Sequence, residues 1–411
     1  MTPTPSPDAP LIVLAAGGTG GHVFPAEALA QELLGQDYRL ALVTDSRGER
    51  YGGTLGLIEK YSISAGALAG HGLFGKAISG VRLIIGLIQA YRLLKRVKPA
   101  VVVGFGGYAA APTVAAAILA GVPTIIHEQN AILGWANRKL AGLVTKVCIS
   151  FELARHAPDK AHVIRTGMPV RPAVAAVRAT PYQAPTTNGA FRILVLGGSQ
   201  GARVFSDVLP AAVQLLPEGL RHRLEISQQC RPEEIGRTLA AYEGLGVHVE
   251  LRYFFDNVPE LLAKAHVLIA RAGASTVGEV TVAGRPSLLV PYPFAADDHQ
   301  TANARVLTTA GGGWVMTQDK FTASALAERL IQFSEQPHLL TDAAAAAQSF
   351  SIPEAASRIA AVVATVAHGK NGAHAGRNIS ASSVSASVTT LNKNSSMERH
   401  TLDHKMTRGV A

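Results

Sequence analysis

Two segments of this chain repeat one pattern, in which a run of apolar residues ends in glycines and leads into a helix-favouring segment. The first segment is LIVLAAGGTGGH, starting at Leu11, and the second is ILVLGGSQGAR, starting at Ile193. A strand that is apolar at every position is buried on both faces, which is typical of parallel sheets. A glycine turn after such a strand is typical of doubly wound sheets, which bind ligands beyond the carboxyl ends of their strands. We therefore predict an α/β protein with two doubly wound, Rossmann-like domains that face each other across a cleft.

Further apolar runs alternate with helical segments in both halves of the chain. They begin near residues 39, 100, 124 and 146 in the first half and near residues 266 and 286 in the second. Such alternation predicts parallel sheets with helices on their faces. The segment 168–190 is rich in Pro, Ala and Thr and predicts a linker. We expect a first domain over 10–167 and a second over 191–366, whose last helix can pack back on the first.

The net charge of +9 is concentrated in two segments. Residues 75–98 carry six basic side chains and no acidic one, whereas residues 368–411 carry six basic and two acidic ones. The rest of the chain is close to neutral, so the charge does not indicate a nucleic-acid partner. The segment 367–411 is rich in Ser, Asn and Lys and lacks apolar periodicity, so we predict a disordered tail. Residues 1–9 are also predicted to be disordered.

Cysteine content and the N-terminus favour a cytoplasmic protein. Cys148 and Cys230 form no CxxC pair, so neither a disulfide scaffold nor a zinc module is supported. The N-terminus lacks the basic and apolar regions of a signal peptide. The uncharged stretch 99–126 exceeds the roughly 20 residues that span a bilayer. Its glycines and prolines favour a strand, a helix and a second strand over a transmembrane helix.

Three glycine turns point to phosphate binding. They are Gly17–His22, Gly104–Tyr108 and Gly197–Gly201. Glycine lets backbone N–H groups approach a phosphate, and a following helix adds its positive N-terminus. None of the turns matches G-x-G-x-x-G or a Walker A loop, so a dehydrogenase that uses Asp45 for ribose is disfavoured. We predict a ligand with more than one phosphate or two phosphorylated ligands; tight structural turns are the alternative.

An ordered set of motifs over residues 11 to about 365 resembles the MurG family of glycosyltransferases. The motifs are GGTGGHVFPA, GFGGY, HEQN, GGSQGAR, RAGASTVGEV and DDHQTANA. The resemblance implies the GT-B fold and inverting, metal-independent transfer without a cofactor. N-acetylglucosamine would pass from UDP-GlcNAc to the C4 hydroxyl of undecaprenyl-diphospho-muramoylpentapeptide. The alternative is a non-catalytic peripheral membrane protein that binds a nucleotide sugar or a polyprenyl diphosphate.

The same resemblance implies a donor site that lies mainly on the second domain. Gly198 and Ser199 would hold the pyrophosphate, Glu279 would accept hydrogen bonds from the ribose, and the backbone of Phe255 would pair with uracil. Asn130 and Gln300 would bind sugar hydroxyls, with a surface role as the alternative for Asn130. Arg171 would contact the nucleotide, although Met168 replaces the usual Asn of that motif. The complete set is Thr19, Gly20, Gly21, Asn130, Arg171, Gly198, Ser199, Phe255, Ala274, Ser275, Thr276, Val277, Gly278, Glu279 and Gln300.

On the first domain, the resemblance implies a site for the acceptor's diphosphate. It comprises Gly18, His22, Gly104, Gly106, Gly107 and Tyr108. His22 is also a candidate base, because an imidazole can take a proton near neutral pH. A helix-capping or phosphate-orienting role for His22 is equally open. Asp297, Asp298 and His299 are expected to be a solvated helix start.

The basic segment 75–98 predicts a membrane-facing helix. At 100° per residue, Arg82, Gln89, Arg92 and Arg96 share one stripe, and most of the remaining circumference is apolar. Apolar residues beside a basic stripe are typical of helices on an anionic membrane surface. The residues predicted to meet lipid are Leu73, Phe74, Ile78, Arg82, Ile85 and Arg92. The resemblance implies peripheral attachment at the cytoplasmic face of the inner membrane; a buried helix with surface arginines is the alternative.

Overall fold

The computed structural model describes residues 6–18, 20–46, 52–65, 73–153, 155, 162–198 and 202–369, with only the backbone described at 73–78. Within these residues the chain forms two parallel sheets.

The first sheet has seven parallel strands in the spatial order β3-β2-β1-β4-β5-β6-β7. Helices connect the strands and cover both faces. The strands are β1 Leu11–Ala15, β2 Arg39–Thr44, β3 Glu59–Ser62, β4 Val101–Gly104, β5 Thr124–Glu128, β6 Lys146–Ile149 and β7 Val163–Arg165. The helices are α1 Gly20–Leu34, α2 Gly53–Gly56, α3 Leu73–Val97, α4 Ala110–Leu119 and α5 Trp135–Leu140.

The second sheet has six parallel strands in the order β10-β9-β8-β11-β12-β13. Its strands are β8 Phe191–Leu196, β9 Leu224–Gln229, β10 His248–Arg252, β11 Val267–Ala270, β12 Ser287–Leu289 and β13 Gly313–Val315. The helices of this half are α6 Pro172–Ala176, α7 Arg203–Gln214, α8 Glu218–Arg221, α9 Ile235–Tyr242, α10 Val258–Lys264, α11 Ala274–Ala283, α12 His299–Thr309, α13 Ala323–Glu335, α14 Pro337–Phe350 and α15 Ala355–His368. Short 3₁₀ turns lie at Val177–Ala179, Pro232–Glu234 and Ala296–Asp298.

Each sheet reverses its strand order beside its first strand. Strand β1 pairs with both β2 and β4, and β8 pairs with both β9 and β11. Loops that leave two such neighbouring strands diverge to opposite faces of the sheet and open a crevice between them. The first crevice lies between the loops after β1 and β4, and the second lies between those after β8 and β11. The prediction of two doubly wound domains is confirmed, and the glycine turns follow β1, β4 and β8.

The uncharged stretch 99–126 forms β4, α4 and the start of β5, which confirms the predicted strand, helix and strand. Among the described residues, one helical stretch, Pro337–His368, is long and apolar enough to cross a membrane by length and composition. Residues 351–354 divide it into α14 and α15. Helix α14 contributes Ala347 to a core of the second half, and α15 contributes Ile359 to the core of the first sheet.

The chain ends by crossing back to the first sheet. On α15, Ile359, Ala360 and Val363 are fully buried in one core with α1 and β1. At the start of this crossing, Ile352 packs against Gly167, where φ is 90° and an added Cβ would lie 2.6 Å from the Ile352 Cβ. Residues 6–367 of the described chain therefore belong to one compact unit.

The structure departs from the expected disorder at two points. Residues 6–9 form a turn in which the Ser6 N–H donates to Asp37 Oδ1 at 3.0 Å, and Arg39 Nη1 donates to the Pro7 carbonyl at 3.2 Å. Helix α15 continues to His368, into the segment predicted as tail. Residues 1–5 and 370–411 lie outside the described part of the chain. The predicted linker contains α6, and the domain boundaries stay predictions.

One buried arginine joins the ends of two helices to the segment between the sheets. Arg285 is 1% exposed and donates to carbonyls of α10 (Leu262 and Ala263) and to those at the end of α11 (Ala283 and Gly284). It also donates to the Thr180 carbonyl at 3.1 Å. The last carbonyls of a helix lack partners within the helix and carry its negative dipole end, so a guanidinium is well suited to this position.

Replacing Arg285 by Met is expected to destabilise the protein by roughly 3 kcal/mol, because the substitution leaves several buried carbonyls without donors. The thermal unfolding midpoint measures the effect. The matched control is Arg305→Met, since Arg305 is exposed on α12 and should change the midpoint little. An unchanged midpoint for Arg285→Met would contradict this account of how the second half is held together.

Candidate functional site

The first crevice is built by two glycine loops in backbone contact. Gly107 has φ of 80°, and a Cβ there would overlap the carbonyl oxygen of Gly17. Its neighbour Gly106 has φ of 91°. L-residues with side chains rarely adopt such φ values, so the close approach of the loops requires glycine. Gly18 also has a positive φ, of 92°, on the facing loop.

His22 lies in the first turn of α1 with its ring against Gly106. A Cβ on Gly106 would lie 2.9 Å from both His22 Nδ1 and Cε1. The Nδ1 atom is buried and has no hydrogen-bond partner among the described residues. Burial lowers the pKa of His22 below its ordinary value of 6.5; the Glu128 carboxylate opposes this most strongly, and the Gln129 side chain and Phe105 carbonyl oppose it less. The imidazole is therefore neutral at neutral pH, the state that a base requires.

His22 faces a cavity of about 170 Å³ that is lined by both polar and apolar side chains. The lining comes from the start of α1, the ends of β4 and β5, and helices α4 and α5. The polar lining is His22, Glu128, Gln129, Asn130 and Asn137, and the apolar lining includes Ala110, Ala111, Val114, Trp135 and Leu140. Gly104, Gly106 and Gly107 line the same cavity, so the structure brings most of the predicted acceptor set together. Tyr108 is partly exposed beside them.

Glu128 organises the loop at the edge of this cavity, a role that sequence analysis missed. Its side chain is buried, and Oε1 accepts hydrogen bonds from the backbone and side-chain nitrogens of Asn130 at 3.0 and 3.2 Å. Oε2 accepts from the Gly134 N–H and from Asn137 Nδ2, both at 2.9 Å. The sequence signal for this role was a charged residue at the end of the buried strand TIIHE, within the HEQN motif.

His127 connects the loop after β4 to the end of the first sheet. It is fully buried, and its Nε2–H donates to the Gly167 carbonyl at 3.1 Å. Gln129 Nε2 donates to His127 Nδ1 at 3.3 Å and to the Phe105 carbonyl at 2.7 Å. Burial lowers the pKa of His127 to about 4, so the ring is neutral near pH 7. This chain of hydrogen bonds fixes the Phe105 carbonyl beside His22.

The second crevice presents the N-terminus of α11. The helix begins at Ala274 after Gly273, and no side chain caps it. The first N–H groups of a helix have no partner within it and carry its positive dipole end. Ser275 Oγ is buried in this first turn without a hydrogen-bond partner among the described residues. Across the crevice, Gly198 has φ of 81° with open space beside it. These groups form a place for an anion.

Arg171 and Glu279, both assigned to the donor site, form an ion pair. Arg171 Nε lies 2.9 Å from Glu279 Oε1 on α11, and the side chains are 28% and 14% exposed. The guanidinium carbon of Arg171 also lies 4.9 Å from the ring centre of Phe24 on α1. Met168, at the position where the motif usually has Asn, is buried against Gly278, where a Cβ would overlap it. These contacts bring the segment after β7 into contact with α11, and Arg171 with α1.

Helix α12 binds both halves of the molecule. Gln300 Oε1 accepts from the backbone N–H groups of Ala272 and Tyr292 at 3.2 and 2.9 Å. One turn later, Asn303 Oδ1 accepts from the Ala131 N–H at 2.8 Å. Asn303 Nδ2 donates to Asn130 Oδ1 and to the Ala272 carbonyl, both at 3.1 Å. Sequence analysis quoted the motif that contains Asn303 but gave this residue no role.

Asp297 and Asp298 precede α12 with φ of 53° and 55°, the left-handed region that non-glycine residues rarely occupy. Asp297 Oδ2 lies 2.7 Å from Arg138 Nη2 on α5. Asp297 and Asp298 are exposed, as expected for a solvated helix start, and Asp297 also joins the two halves through this ion pair. His299 Nδ1–H donates to the Ala296 carbonyl at 2.8 Å.

The remaining predicted site residues lie in both halves of the fold, except for two that are not among the described residues. Phe255 is buried after β10, with the Arg252 guanidinium 5.9 Å from its ring centre. Gly20 and Gly21 open α1, and Thr276 and Val277 lie in the first turn of α11. Thr19 and Ser199 lie outside the described residues. No group of three or more His, Cys, Asp or Glu able to hold a metal ion occurs in the described part of the chain.

The predicted membrane helix, α3, exposes apolar and basic residues together. Val81, Ile84, Ile85 and Ile88 are exposed, Ile84 by 58%. Arg82, Gln89, Arg92 and Arg96 are exposed on the adjoining stripe. Leu73, Phe74 and Ile78 belong to the part of α3 whose side chains are not described. A fully buried helix with surface arginines, the alternative left open above, is inconsistent with four exposed β-branched residues.

Comparisons with known proteins assign the chain to a family. The model of the glycosyltransferase family 28 N-terminal domain matches residues 12–149, and that of the C-terminal domain matches residues 192–359. A protein of Paramagnetospirillum magneticum is 54% identical, with 89% of this chain and 99% of that relative covered. One from Rhodospirillum rubrum is 52% identical, with 88% and 93% covered. Both are UDP-N-acetylglucosamine--N-acetylmuramyl-(pentapeptide) pyrophosphoryl-undecaprenol N-acetylglucosamine transferases.

The fold agrees with this assignment. The crystal structure of MurG from Acinetobacter baumannii matches with a TM-score of 0.71 and 30% identity, and the match covers 87% of this chain and 99% of that one. The N-terminal family model covers strands β1 to β6 of the first sheet, and the C-terminal family model covers the strands of the second sheet. This chain therefore belongs to glycosyltransferase family 28 and is a member of the MurG family that its motifs predicted.

Proposed function

We propose that this protein transfers N-acetylglucosamine from UDP-GlcNAc to the C4 hydroxyl of undecaprenyl-diphospho-muramoylpentapeptide. The observation that carries the proposal is a hydrogen-bonded link between the two crevices. Asn130 lines the cavity of His22 and is hydrogen-bonded to Asn303, which also holds Ala272 in front of α11. The names of the family 28 relatives support the same reaction.

In this site the donor diphosphate lies at the N-terminus of α11 and at the loop after β8. The acceptor hydroxyl attacks the anomeric carbon, a new glycosidic bond forms, and the bond from that carbon to the UDP oxygen breaks with its electron pair leaving on UDP. The helix N-terminus stabilises the negative charge that develops on the leaving group. The acceptor's diphosphate lies against the glycine loops after β1 and β4, because glycine lets backbone N–H groups approach a phosphate.

His22 is the proposed base in this reaction. Its lowered pKa keeps the imidazole unprotonated near pH 7, and the ring borders the cavity next to the glycine loops. The proton of the acceptor hydroxyl passes to His22 as the glycosidic bond forms. The neighbouring Glu128 carboxylate stabilises the imidazolium that results, because an opposite charge nearby favours the charged form.

We also propose that α3 attaches the protein peripherally to the cytoplasmic face of the inner membrane. Support comes from the exposed Ile84, Ile85 and Ile88 beside exposed Arg82 and Arg92. Apolar side chains insert at the interface, while each basic residue near an anionic surface adds about 1 kcal/mol. Such attachment would place the first domain close to a lipid-linked acceptor.

The donor assignment predicts a selective effect of nucleotide sugars on thermal stability. UDP-GlcNAc should raise the unfolding midpoint, while GDP- and ADP-sugars should raise it far less. Glu279→Ala should weaken UDP-GlcNAc binding by roughly 1.5 to 3 kcal/mol, the scale of a hydrogen bond to a charged group. Glu335→Ala, at an exposed position on α13, is the matched control. Equal stabilisation by all three nucleotide sugars would be evidence against the assignment.

The role of His22 predicts a change in the pH dependence of turnover. A base is active when unprotonated, so the wild-type rate should fall as the pH drops through the His22 pKa, which lies below 6.5. His22→Ala should lower kcat by about a hundredfold or more, remove this acidic limb and leave donor affinity little changed. His222→Ala, an exposed histidine of the second half, should keep the wild-type profile. If turnover survives in His22→Ala, or only the acceptor KM rises, His22 orients phosphate instead.

The membrane proposal predicts binding to vesicles of phosphatidylglycerol and phosphatidylcholine that weakens at high salt. Replacing Ile84 and Ile85 together by Ser, or Arg82 and Arg92 together by Gln, should each reduce binding in a flotation assay. Stabilisation by UDP-GlcNAc should stay intact, because the donor site lies mainly on the other half and includes no residue of α3.

The matched control is Leu239→Ser, which removes an exposed apolar side chain from α9 in the second half. Deleting residues 370–411 serves as a second comparison. If that deletion abolishes vesicle binding and the α3 variants bind normally, the basic C-terminal segment is the anchor and the assignment of α3 is wrong.

A further inference from the structure

Asn303 is a buried amide that is hydrogen-bonded to three residues in two separate segments of the chain. It has no exposed surface, and its two polar atoms make hydrogen bonds to Ala131, Asn130 and Ala272. The first two belong to the loop after β5 in the first half, and Ala272 lies between β11 and α11 in the second. Burial of an amide is unfavourable unless its polar atoms are paired, so these three contacts restrict the relative position of the segments.

The orientation of the Asn130 side chain depends on Asn303. Asn130 Nδ2 donates to Glu128 Oε1 at 3.2 Å, while Asn130 Oδ1 accepts from Asn303 Nδ2 at 3.1 Å. If the Asn130 amide were flipped, its nitrogen would face the Asn303 nitrogen and its oxygen would face the Glu128 carboxylate. Both contacts would then be repulsive. Glu128 and Asn303 together therefore fix the orientation of the Asn130 amide, with Nδ2 toward Glu128 and Oδ1 toward Asn303.

Asn303 is tied to the segment just before α11. Ala272 is held at both of its backbone polar groups by α12, with its N–H bonded to Gln300 and its carbonyl bonded to Asn303. The next residue, Gly273, is the N-cap of α11. Without Asn303, Gln300 still holds the Ala272 N–H, so the start of α11 stays in place while Asn130 loses its link to it.

We infer that Asn303 is a positioning residue of the donor site, which aligns Asn130 from the first half with the N-terminus of α11 from the second. The inference rests on the proposed function and identifies how the two halves hold one donor molecule. The nucleotide and diphosphate bind to the second half, whereas Asn130 reaches the sugar from the first. Asn303 is the hydrogen-bonding link between them, and it acts through Asn130 because it is itself fully buried.

The test compares UDP with UDP-GlcNAc, which differ only in the sugar. Binding of each ligand is measured by calorimetry for the wild type, Asn303→Ala, Asn130→Ala and the double variant. Asn303→Ala should weaken UDP-GlcNAc binding by about tenfold, as expected for one or two lost hydrogen bonds, and weaken UDP binding much less. In the Asn130→Ala background, Asn303→Ala should add little further loss of UDP-GlcNAc affinity, since the two residues act as a unit.

Asn303→Asp extends the test without changing the volume of the side chain. It keeps the acceptor for the Ala131 N–H but presents an oxygen to Asn130 Oδ1 and to the Ala272 carbonyl. It should therefore bind UDP-GlcNAc at least as weakly as Asn303→Ala. If Asn303→Ala fails to fold, as judged by its thermal transition, the binding of UDP and UDP-GlcNAc is compared for Asn303→Asp instead.

Arg305→Ala is the control on the same helix, because Arg305 lies on the exposed side of α12. Wild-type affinity of Asn303→Ala for UDP-GlcNAc would overturn the inference. Equal loss of affinity for UDP and UDP-GlcNAc, or full additivity with Asn130→Ala, would also overturn it in favour of a general structural role. A wild-type protein that neither binds UDP-GlcNAc nor turns it over would instead refute the proposed function.

Discussion

The geometry of the site depends on the contact between two backbone loops at the reversal point of the first sheet. Strands β1 and β4 are neighbours, and the loops that follow them are in backbone contact at Gly17 and Gly107. Gly107 fits against the Gly17 carbonyl only because it has no side chain. The same approach places Gly106 against the His22 ring, which buries Nδ1 and lowers the pKa of this histidine. A requirement for close packing of backbone thus sets the protonation state of the candidate base.

Buried polar side chains then convert this contact into a fixed arrangement. Glu128 accepts four hydrogen bonds from the loop that follows it, and His127 joins the Gly167 carbonyl to Gln129. In a low-dielectric interior such bonds are strong when complete, and an unpaired group there is costly. The polar residues at the end of β5 therefore have little freedom to rearrange.

The sequence predicted those features that depend on local pattern. Strands that are buried on both faces, such as β1 and β4, were recognised because they are continuously apolar. Strand β3 (EKYS) was missed because it is polar and none of its residues is buried, and β9 (LEISQQ) was missed because only alternate residues are buried. The glycine turns were found as motifs, but the partners of polar residues were not. Asn303 lies 172 residues from the Ala131 N–H it accepts from, and nothing local to either residue indicates the pair.

Arg171 and Glu279 were each assigned to the donor site, but their ion pair was not predicted, because it also joins distant parts of the sequence. They are separated by 108 positions, and the ion pair exists only because the segment after β7 packs on α11. Resemblance to a family transfers roles residue by residue, whereas contacts between residues come from the folded chain. The buried packing of Met168 on Gly278 shows that the departure from the usual motif is accommodated by an apolar contact at this turn.

The two halves are joined by polar contacts at the cleft and by apolar contacts both there, at Ala131 and Ile132, and at the connecting segments. At the cleft lie the Arg171–Glu279 and Arg138–Asp297 ion pairs and the hydrogen bonds of Asn303. At the connections, Phe151 stacks on Phe350 with ring centres 6.5 Å apart, and Ile352 packs on Gly167. Water can replace polar partners with a small net change in free energy, whereas exposing apolar surface is unfavourable in proportion to its area. The polar contacts are therefore the ones that can be exchanged for water at least cost, whereas the buried apolar contacts of Ala131, Ile132 and Phe151 hold the halves together.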